Sequence, residues 1–239
     1  MVTGASGPIG AEIARGLAAA GADVVLVGRH MDTLRTVAES IPVGDGQVLI
    51  RRCDLTQPDD LRTLHSEIDN DLRPVSLLVI AAGGGGAPTP LATLEAETWR
   101  ATLETNLTSV FLTLREFIPA MIERRAGSVV TISSDAALTI APASIAYAAA
   151  KAAVLTLTRY VAAEAAPYGV RVNAIAPGTV RTPQIDALSP EIQLQLAATH
   201  PSGRLGTTSD IWQTVLFLLS GRAGWLTGEN LTPGARTLR

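Results

Sequence analysis

The sequence predicts an α/β fold in which helices cover both faces of a parallel β-sheet. Short segments rich in β-branched residues alternate along the 239 residues with longer helical segments, which is the pattern of successive β-α-β units. Hydrophobic residues make up 47% of the chain but aromatic residues only 4%, so the core has to be built mainly from aliphatic side chains. This composition suits a sheet that is buried on both faces better than a one-sided antiparallel sheet.

The elements follow one another without an internal repeat or a long linker, so we expect one domain over residues 1–239. Strands are predicted at 24–28, 48–52, 77–81, 128–133, 170–175 and 229–232. Helices are predicted at 8–20, 31–40, 58–71, 95–124, 144–168, 191–198 and 208–220. The first strand has only Met1–Thr3, which is short for a central parallel strand. Either the sheet tolerates so short a strand or the natural chain begins further upstream.

The charge and the cysteine count argue against several classes of function. A formal net charge of −3 gives no basic surface for nucleic acid or an anionic membrane. The single cysteine, Cys53, excludes an intrachain disulfide, and the three histidines lack ligand spacing, so we expect no metal site. The N-terminus lacks a basic segment followed by an apolar one, and the apolar residues 138–158 include Pro142 and Lys151. We expect a cytoplasmic protein without a membrane span.

A glycine-rich turn separates the short first strand from the first helix. It reads Thr3-Gly4-Ala5-Ser6-Gly7-Pro8-Ile9-Gly10. Glycines allow a tight turn, and a helix N-terminus presents free N–H groups and a positive dipole to a phosphate. Proline suits the first helical position, where a missing N–H is harmless. The turn is either an ordinary connection or a phosphate-binding loop, with expected contacts from Gly4, Ser6, Pro8, Ile9 and Gly10.

Residues suited to the rest of a dinucleotide follow the next two strands. Gly28 stands where NAD-binding proteins commonly place an acidic residue for the ribose 2′-hydroxyl, and Arg29 offers a cation to a 2′-phosphate. We therefore expect NADP(H) to be preferred, with NAD(H) possible; the alternative is that Arg29 simply lies in solvent. Asp54 and Leu55 are expected beside the adenine, although Asp54 could equally cap the helix that begins near Pro58.

The most specific signal is the pair Tyr147 and Lys151, since Tyr147 follows Ser134 by thirteen residues. Residues four apart share one face of a helix, so the phenol and the ammonium come together. A tyrosine with its ordinary pKa near 10 is a poor acid or base at neutral pH, and a nearby ammonium, helped by an oxidised nicotinamide, lowers that pKa toward the working range. The spacing alone is common on solvated helix faces. Its distance from Ser134 at a strand end indicates an acid–base pair.

These motifs together resemble the short-chain dehydrogenase/reductase family, in its single-domain branch, over residues 3–234. The resemblance implies a Rossmann-like, doubly wound parallel β-sheet flanked by helices on both faces. It also implies a catalytic tetrad. Ser134 is expected to bind the substrate oxygen and Tyr147 to protonate the nascent alkoxide. Lys151 is expected to bind the ribose and lower the tyrosine pKa, and Asn106 to hold a water for proton relay.

The resemblance implies further cofactor contacts. The segment from Pro177 to Thr182 resembles the one that holds the nicotinamide carboxamide, through the N–H of Val180 and the hydroxyl of Thr182. With the residues above, the expected cofactor contacts are Gly4, Ser6, Pro8, Ile9, Gly10, Arg29, Asp54, Leu55, Ala81, Ala82, Gly83, Tyr147, Lys151, Pro177, Gly178, Val180 and Thr182.

Three features depart from the family's usual pattern. Ile80 and Ala81 stand where relatives usually carry asparagines, so those side-chain hydrogen bonds are lost, although the backbone of Ala81 to Gly83 can still approach the cofactor. Gly7 gives the turn the glycine spacing of a longer branch, for whose added C-terminal region this chain has no room. Asp135 places an unexpected carboxylate beside Ser134, and we expect it to cap the following turn.

The sequence therefore predicts an NADP(H)-preferring oxidoreductase that transfers a hydride reversibly between nicotinamide and a carbonyl or secondary alcohol. One alternative is a 3-oxoacyl-carrier-protein reductase. Arg125 matches an arginine with which such reductases dock their acidic carrier, but Tyr168 stands where a second often lies. An alternative of another class is a cofactor-binding sensor, although sensors typically lose the tyrosine or the lysine. Substrate specificity is expected in residues 182–206.

We also expect a homo-oligomer, either a tetramer or a dimer. Alanines surround the start of the predicted helix 144–168, and the family commonly pairs this helix and the preceding one across a two-fold axis. A second contact through residues 225–234 would complete a tetramer. The preceding helix carries apolar residues at helical spacing, some of which must pack on the chain's own sheet: Leu103, Leu107, Phe111 and Leu114.

Overall fold

The computed structural model describes residues 1–42, 44 and 46–234 of the chain. Its strands are β1 Val2–Thr3, β2 Val24–Gly28, β3 Val48–Arg52, β4 Leu77–Ile80, β5 Gly127–Ile132, β6 Val170–Ile175 and β7 Asn230–Leu231. Within the described residues they form one sheet in the order β3-β2-β1-β4-β5-β6-β7, and every neighbouring pair is parallel. The predicted Rossmann-like, doubly wound α/β fold is confirmed.

The α-helices are α1 Pro8–Ala19, α2 Met31–Glu39, α3 Pro58–Asp71, α4 Ala96–Leu103, α5 Ser109–Glu123, α6 Ile145–Ala165, α7 Pro183–Asp186, α8 Pro190–Ala198 and α9 Thr208–Leu219. None of the described helices is both long and apolar enough to cross a membrane.

The sheet has a hydrophobic core on each face, as the aliphatic composition predicts. One core packs α3, α5 and α6 on the sheet through residues such as Leu64, Phe117 and Val154. The other packs α1 and α9 through residues such as Ile13 and Val215. Helices cover both faces of the sheet, so its ends stay open. Because the strands are parallel, their carboxyl ends all lie at the same end of the sheet, and the loops of this chain come together there.

The two-residue strand β1 is sufficient for the centre of the sheet. Val2 pairs with Leu26 of β2 on one side and with Val79 of β4 on the other. The carbonyl of Met1 also accepts a hydrogen bond from the N–H of Val79. The glycine turn follows directly at the carboxyl end of this short strand, and a natural chain that begins further upstream stays an open alternative.

The prediction of a single α-helix over 95–124 is wrong. The α-helix α4 ends at Leu103, a π-helical turn covers Glu104–Thr108, and α5 begins at Ser109. The side-chain amide of Asn106 donates a hydrogen bond to the carbonyl of Thr102, four residues earlier. Side-chain bonds of this kind compete with the regular helical ladder, which accounts for the widened turn at this position.

Other boundaries differ by a few residues. The helix predicted over 144–168 is α-helical only to Ala165 and ends in a 3₁₀ turn over Ala166–Tyr168, where Pro167 has no N–H to continue the ladder. The strand predicted at 229–232 is limited to Asn230–Leu231. The short helix α7 was not predicted, although Thr182 followed by a proline is a helix-start signal.

Candidate active site

A cavity of about 620 Å³ opens at the carboxyl ends of the strands. The chain runs from β1 to β2 and β3 on one side and returns to β4 on the other, so the strand order reverses beside β1. This is where open α/β sheets bind ligands. Every predicted cofactor contact, Tyr147 and Lys151 included, lines this cavity together with one further predicted catalytic residue, Ser134; Asn106 does not line it.

The glycine turn packs too tightly for side chains. A Cβ atom at Gly10 would lie 2.3 Å from the carbonyl oxygen of Gly4, and one at Gly4 would lie 2.6 Å from the backbone nitrogen of Ala82. Helix α1 begins at Pro8 after Gly7, which has no side chain to cap it. The helix N-terminus is therefore open toward the cavity, which Ile9 and Gly10 line. This arrangement suits an anionic group.

Arg29 and Asp54 lie on neighbouring loops of the same cavity. Arg29 is exposed and makes no ion pair within the part of the chain that the structure describes. The carboxylate of Asp54 accepts hydrogen bonds from the N–H and the hydroxyl of Thr56 at 3.0 and 2.7 Å, which hold its pKa below the ordinary value. Asp54 is not the cap of α3, because that position belongs to Gln57.

The loop after β4 is anchored by Asn106. Its Oδ1 accepts from the N–H of Gly84 at 3.0 Å, and its Nδ2 donates to the carbonyl of Gly84 at 3.2 Å. With the bond to Thr102, both amide hydrogens are in use. Gly83 has a φ of +138° and lies between two side chains, since a Cβ there would be 2.6 Å from Asn106 Oδ1 and 3.2 Å from Lys151 Nζ.

Two hydrogen bonds fix helix α6 to the end of β5. The buried ammonium of Lys151 donates to the carbonyl of Ile132 at 2.9 Å, and the hydroxyl of Ser133 donates to the carbonyl of Lys151 at 2.8 Å. Lys151 Nζ lies 5.6 Å from the centre of the Tyr147 ring. The predicted convergence of the phenol and the ammonium near the strand end is thus present, and Ser134 hydrogen-bonds the Tyr147 phenol.

The segment after β6, residues 177–182, forms a further part of the cavity wall. Thr179 O accepts from Gly206 N–H and Arg181 N–H donates to Gly206 O, so the N–H of Val180 between them points to the other edge. The Thr182 hydroxyl caps α7 by accepting from Ile185 N–H at 3.5 Å. Among residues 1–42, 44 and 46–234 that hydroxyl has no acceptor for its hydrogen, so it can donate to a ligand.

Comparison with known proteins decides the family. Residues 4–233 match a sequence family described as Enoyl-(Acyl carrier protein) reductase. The chain belongs to the short-chain dehydrogenase/reductase family. The 7alpha-hydroxysteroid dehydrogenase of Escherichia coli (strain K12) is 36% identical over 233 residues, covering 97% of this chain and 91% of that protein.

Solved structures of the family are similar over nearly the whole chain. A 3-oxoacyl-[acyl-carrier protein] reductase from Brucella melitensis with bound NAD has a TM-score of 0.90 at 30% identity, covering 99% of this chain and 90% of that chain. An actinorhodin polyketide ketoreductase with NADPH has a TM-score of 0.90 at 31% identity, covering 98% of this chain and 94% of that chain. The chain is an oxidoreductase of the short-chain dehydrogenase/reductase family, acting on CH–OH or C=O groups.

Burial governs the pKa values of the two candidate acid–base residues when no cofactor is bound. It raises the pKa of Tyr147, the hydrogen bond with Ser134 acts in the opposite direction, and the Asp135 carboxylate adds to the rise. Burial also lowers the pKa of Lys151 to about 8. The expected fall of the tyrosine pKa includes an oxidised nicotinamide, so it stays a prediction.

Asp135 differs from its expected role. Ser134, not Asp135, is the cap of the following 3₁₀ turn, since its Oγ accepts from Ala136 N–H at 3.2 Å. The Asp135 carboxylate is buried, and its Oδ1 lies 3.4 Å from Ser134 Oγ, within reach of that hydroxyl's hydrogen. It therefore contacts the candidate active site directly.

Several residues line the cavity that the sequence did not indicate as contacts. Most of them adjoin a predicted contact in the chain, so their position at a strand end was the available signal. Gln184 and Ile185 belong to the unpredicted helix α7. The full set is Gly7, Gly28, His30, Cys53, Thr56, Gly84, Gly85, Thr105, Ser109, Ile132, Ser133, Thr179, Gln184 and Ile185.

The buried Lys151 generates a prediction about stability. Its pKa is about 8 in the folded chain against 10.5 for an ordinary lysine, so between these pH values the unfolded chain binds more protons. The free energy of unfolding of the wild type should therefore rise with pH across this window, by roughly 3 kcal/mol relative to Lys151→Met. Other titrating groups occur in both proteins and cancel. Urea unfolding from pH 7.5 to 11 measures the difference, and parallel curves contradict the prediction.

Proposed function

We propose that this chain transfers a hydride reversibly between a nicotinamide cofactor, NADP(H) in preference to NAD(H), and a carbonyl or secondary alcohol. The observation that carries the proposal is the convergence of Ser134, Tyr147 and Lys151 in the cavity that the glycine turn and Arg29 also line. Acid–base groups and an anion-binding turn in one cavity are what a dinucleotide-dependent oxidoreductase requires.

The cavity fits a dinucleotide. Gly4 and Gly10 leave no room for a Cβ, so the backbone of the turn is open to a pyrophosphate at the N-terminus of α1. Asp54 and Leu55 would lie beside the adenine, and Ala81 to Gly83 would follow the cofactor backbone. Pro177, Gly178, Val180 and Thr182 would hold the carboxamide end.

The preference for NADP(H) rests on Arg29. Its guanidinium is exposed at the cavity beside Gly28, where a carboxylate for a ribose 2′-hydroxyl is absent. A 2′-phosphate would meet the Arg29 cation there, and position 28 itself offers no carboxylate to repel it. The relatives with known ligands include one with NAD and one with NADPH, so the family leaves this choice to local residues.

Each residue of the tetrad has a distinct part in the proposed chemistry. When bound, the nicotinamide donates or accepts the hydride. Ser134 binds the substrate oxygen, and Tyr147 transfers its proton to that oxygen as negative charge develops. Because burial holds the tyrosine pKa above its ordinary value, the phenol is protonated at neutral pH and is ready to donate. The ammonium of Lys151 then stabilises the phenolate that remains.

Asn106 has a part that the sequence did not indicate. Its amide hydrogens donate to the carbonyls of Gly84 and Thr102. We propose that it positions the loop after β4, and with it Gly83 against Lys151. The relay water expected at Asn106 stays a prediction, and it would have to donate to an oxygen of this residue.

The 3-oxoacyl-carrier-protein reductase alternative has weaker support. The guanidinium of Arg125 lies 5.7 Å from the centre of the Tyr168 ring and donates to the carbonyl of Pro167 at 3.1 Å. The Arg125 cation therefore already interacts with Tyr168 and Pro167 of the same chain. Tyr168 itself carries no positive charge with which to bind an acidic carrier. The relative from Brucella melitensis keeps the alternative compatible with the family.

Replacing Tyr147 by phenylalanine tests the proposed function. The change removes one hydroxyl and should lower kcat by about 10²- to 10⁴-fold while NADPH affinity changes little. Turnover is followed at the absorbance of the reduced nicotinamide, with a panel of ketones and alcohols. Tyr160→Phe is the matched control, because Tyr160 lies on the same helix and is 75% exposed. Activity of Tyr147→Phe within about fivefold of wild type would overturn the assignment.

Arg29 should set the choice of cofactor. Loss of one phosphate contact is worth about 1.5–3 kcal/mol, so Arg29→Ala should weaken NADPH binding by about 10- to 150-fold and NADH binding far less. Fluorescence titration with each cofactor measures both constants. Arg35→Ala, which removes an exposed arginine paired with Asp32, is the control and should change neither. A wild type that binds NADH as tightly as NADPH contradicts the preference.

We propose further that the chain forms a homotetramer. Phe111 on α5 is 45% exposed and Tyr160 on α6 is 75% exposed, while Leu114 is buried in the chain's own core. Trp225, on a separate surface segment, is 98% exposed. Light scattering at micromolar concentration should give four times the 24.9 kDa chain mass. A dimer would contradict only the contact through Trp225. A monomer would contradict that contact and also the one through α5 and α6.

The cytoplasmic location stays a prediction.

A further inference from the structure

Three consecutive glycines after Gly83 have no role in the backbone geometry. Gly84, Gly85 and Gly86 do not adopt the positive φ that Gly83 has. A Cβ at Gly84 would meet nothing within 4 Å, and one at Gly85 would be no closer than 3.9 Å to any atom. At Gly86 the nearest atom would be Ser144 Cβ at 3.6 Å, an ordinary contact. Neither conformation nor packing requires glycine at these positions.

Glycine at such positions weakens the folded state. Alanine at a compatible backbone position stabilises a protein, because it restricts the unfolded chain. Glycine at these positions also leaves unfilled the space that a side chain would occupy. The position of that space in the cavity indicates what it can accommodate.

The open space lies beside the proposed acid. Gly84 and Gly85 line the cavity together with Ser134 and Tyr147, whereas Gly86 does not. A Cβ at Gly85 would be 3.9 Å from three carbons of the Tyr147 ring, so any longer side chain there would grow over or along that ring. The cavity wall also includes Ile185 of α7, which is an apolar surface for a substrate. A carbonyl compound must bring its oxygen to Tyr147, and its substituents need the space next to the ring.

We propose that Gly85 is a specificity-determining position, and that it opens the site to carbonyl compounds with a bulky ring next to the carbonyl carbon. This inference rests on the proposed function, since it assumes that Tyr147 faces the substrate. It names ring-bearing ketones and their alcohols as the substrate class. The substrate's ring would then pack against the backbone of Gly85, in the space that a side chain at this position would fill.

The test compares one small and one bulky ketone, butan-2-one and the bicyclic 1-decalone, reduced with NADPH. In Gly85→Val, kcat/KM for 1-decalone should fall by about tenfold or more, while the value for butan-2-one should stay within about threefold. Gly85→Ala should show a smaller effect in the same direction and should melt at or above the wild-type temperature. NADPH affinity should be unchanged in both variants.

Gly86→Ala is the matched control, because it adds the same methyl group in the same loop but outside the cavity. It should change neither ketone's kcat/KM. Three results would each overturn the inference. Gly85→Ala could lower kcat/KM equally for both ketones, or Gly85→Val could leave kcat/KM for 1-decalone unchanged. The wild type could also reduce butan-2-one but not 1-decalone. If Gly85→Val fails to fold by circular dichroism, Gly85→Ala alone decides. A wild type inactive on every carbonyl overturns the proposed function together with this inference.

Discussion

The burial of Lys151 against the end of β5 is the constraint on which the candidate site depends. A buried ammonium needs an acceptor, and here the carbonyl of Ile132 provides it at 2.9 Å. The Ser133 hydroxyl returns a bond to the carbonyl of Lys151. These two bonds lock helix α6 to the strand, so Tyr147, one turn before the lysine, is held beside Ser134 at the strand end. The acid–base geometry is thus a property of one strand–helix junction.

Gly83 connects this junction to the loop after β4. A Cβ there would meet both Asn106 Oδ1 and Lys151 Nζ, so the glycine allows the two side chains to approach one backbone position from different helices. Asn106 in turn holds Gly84 by both polar atoms of its amide. The π-helical turn that presents Asn106 interrupts an otherwise regular helix. The local departure from helical geometry is therefore coupled to the position of the cavity wall.

The sequence predicted the sheet, its flanking helices and little more than half of the residues that line the cavity, because alternation, glycine turns and strand ends are local signals. It did not predict the break at Asn106, since the apolar spacing of Leu103, Leu107 and Phe111 continues through the π turn and nothing in that spacing indicates that the Asn106 side chain bonds to Thr102 and to Gly84. Nor could it predict the tyrosine pKa. Proximity to Lys151 follows from spacing, but the degree of burial, which decides the sign of the shift, follows from the packed structure.

The pKa shifts of Tyr147 and Lys151 have the same cause and opposite signs. Desolvation disfavours a charged group, so it raises the pKa of the phenol and lowers that of the ammonium. The chain by itself therefore favours a neutral tyrosine, which is the form that donates a proton during carbonyl reduction. Alcohol oxidation needs the phenolate, and the nearby Asp135 carboxylate opposes it further. In the proposed mechanism, oxidation at neutral pH therefore depends on positive charge that stabilises the phenolate, from Lys151 and a bound oxidised nicotinamide, whereas reduction begins from the protonation state that burial favours.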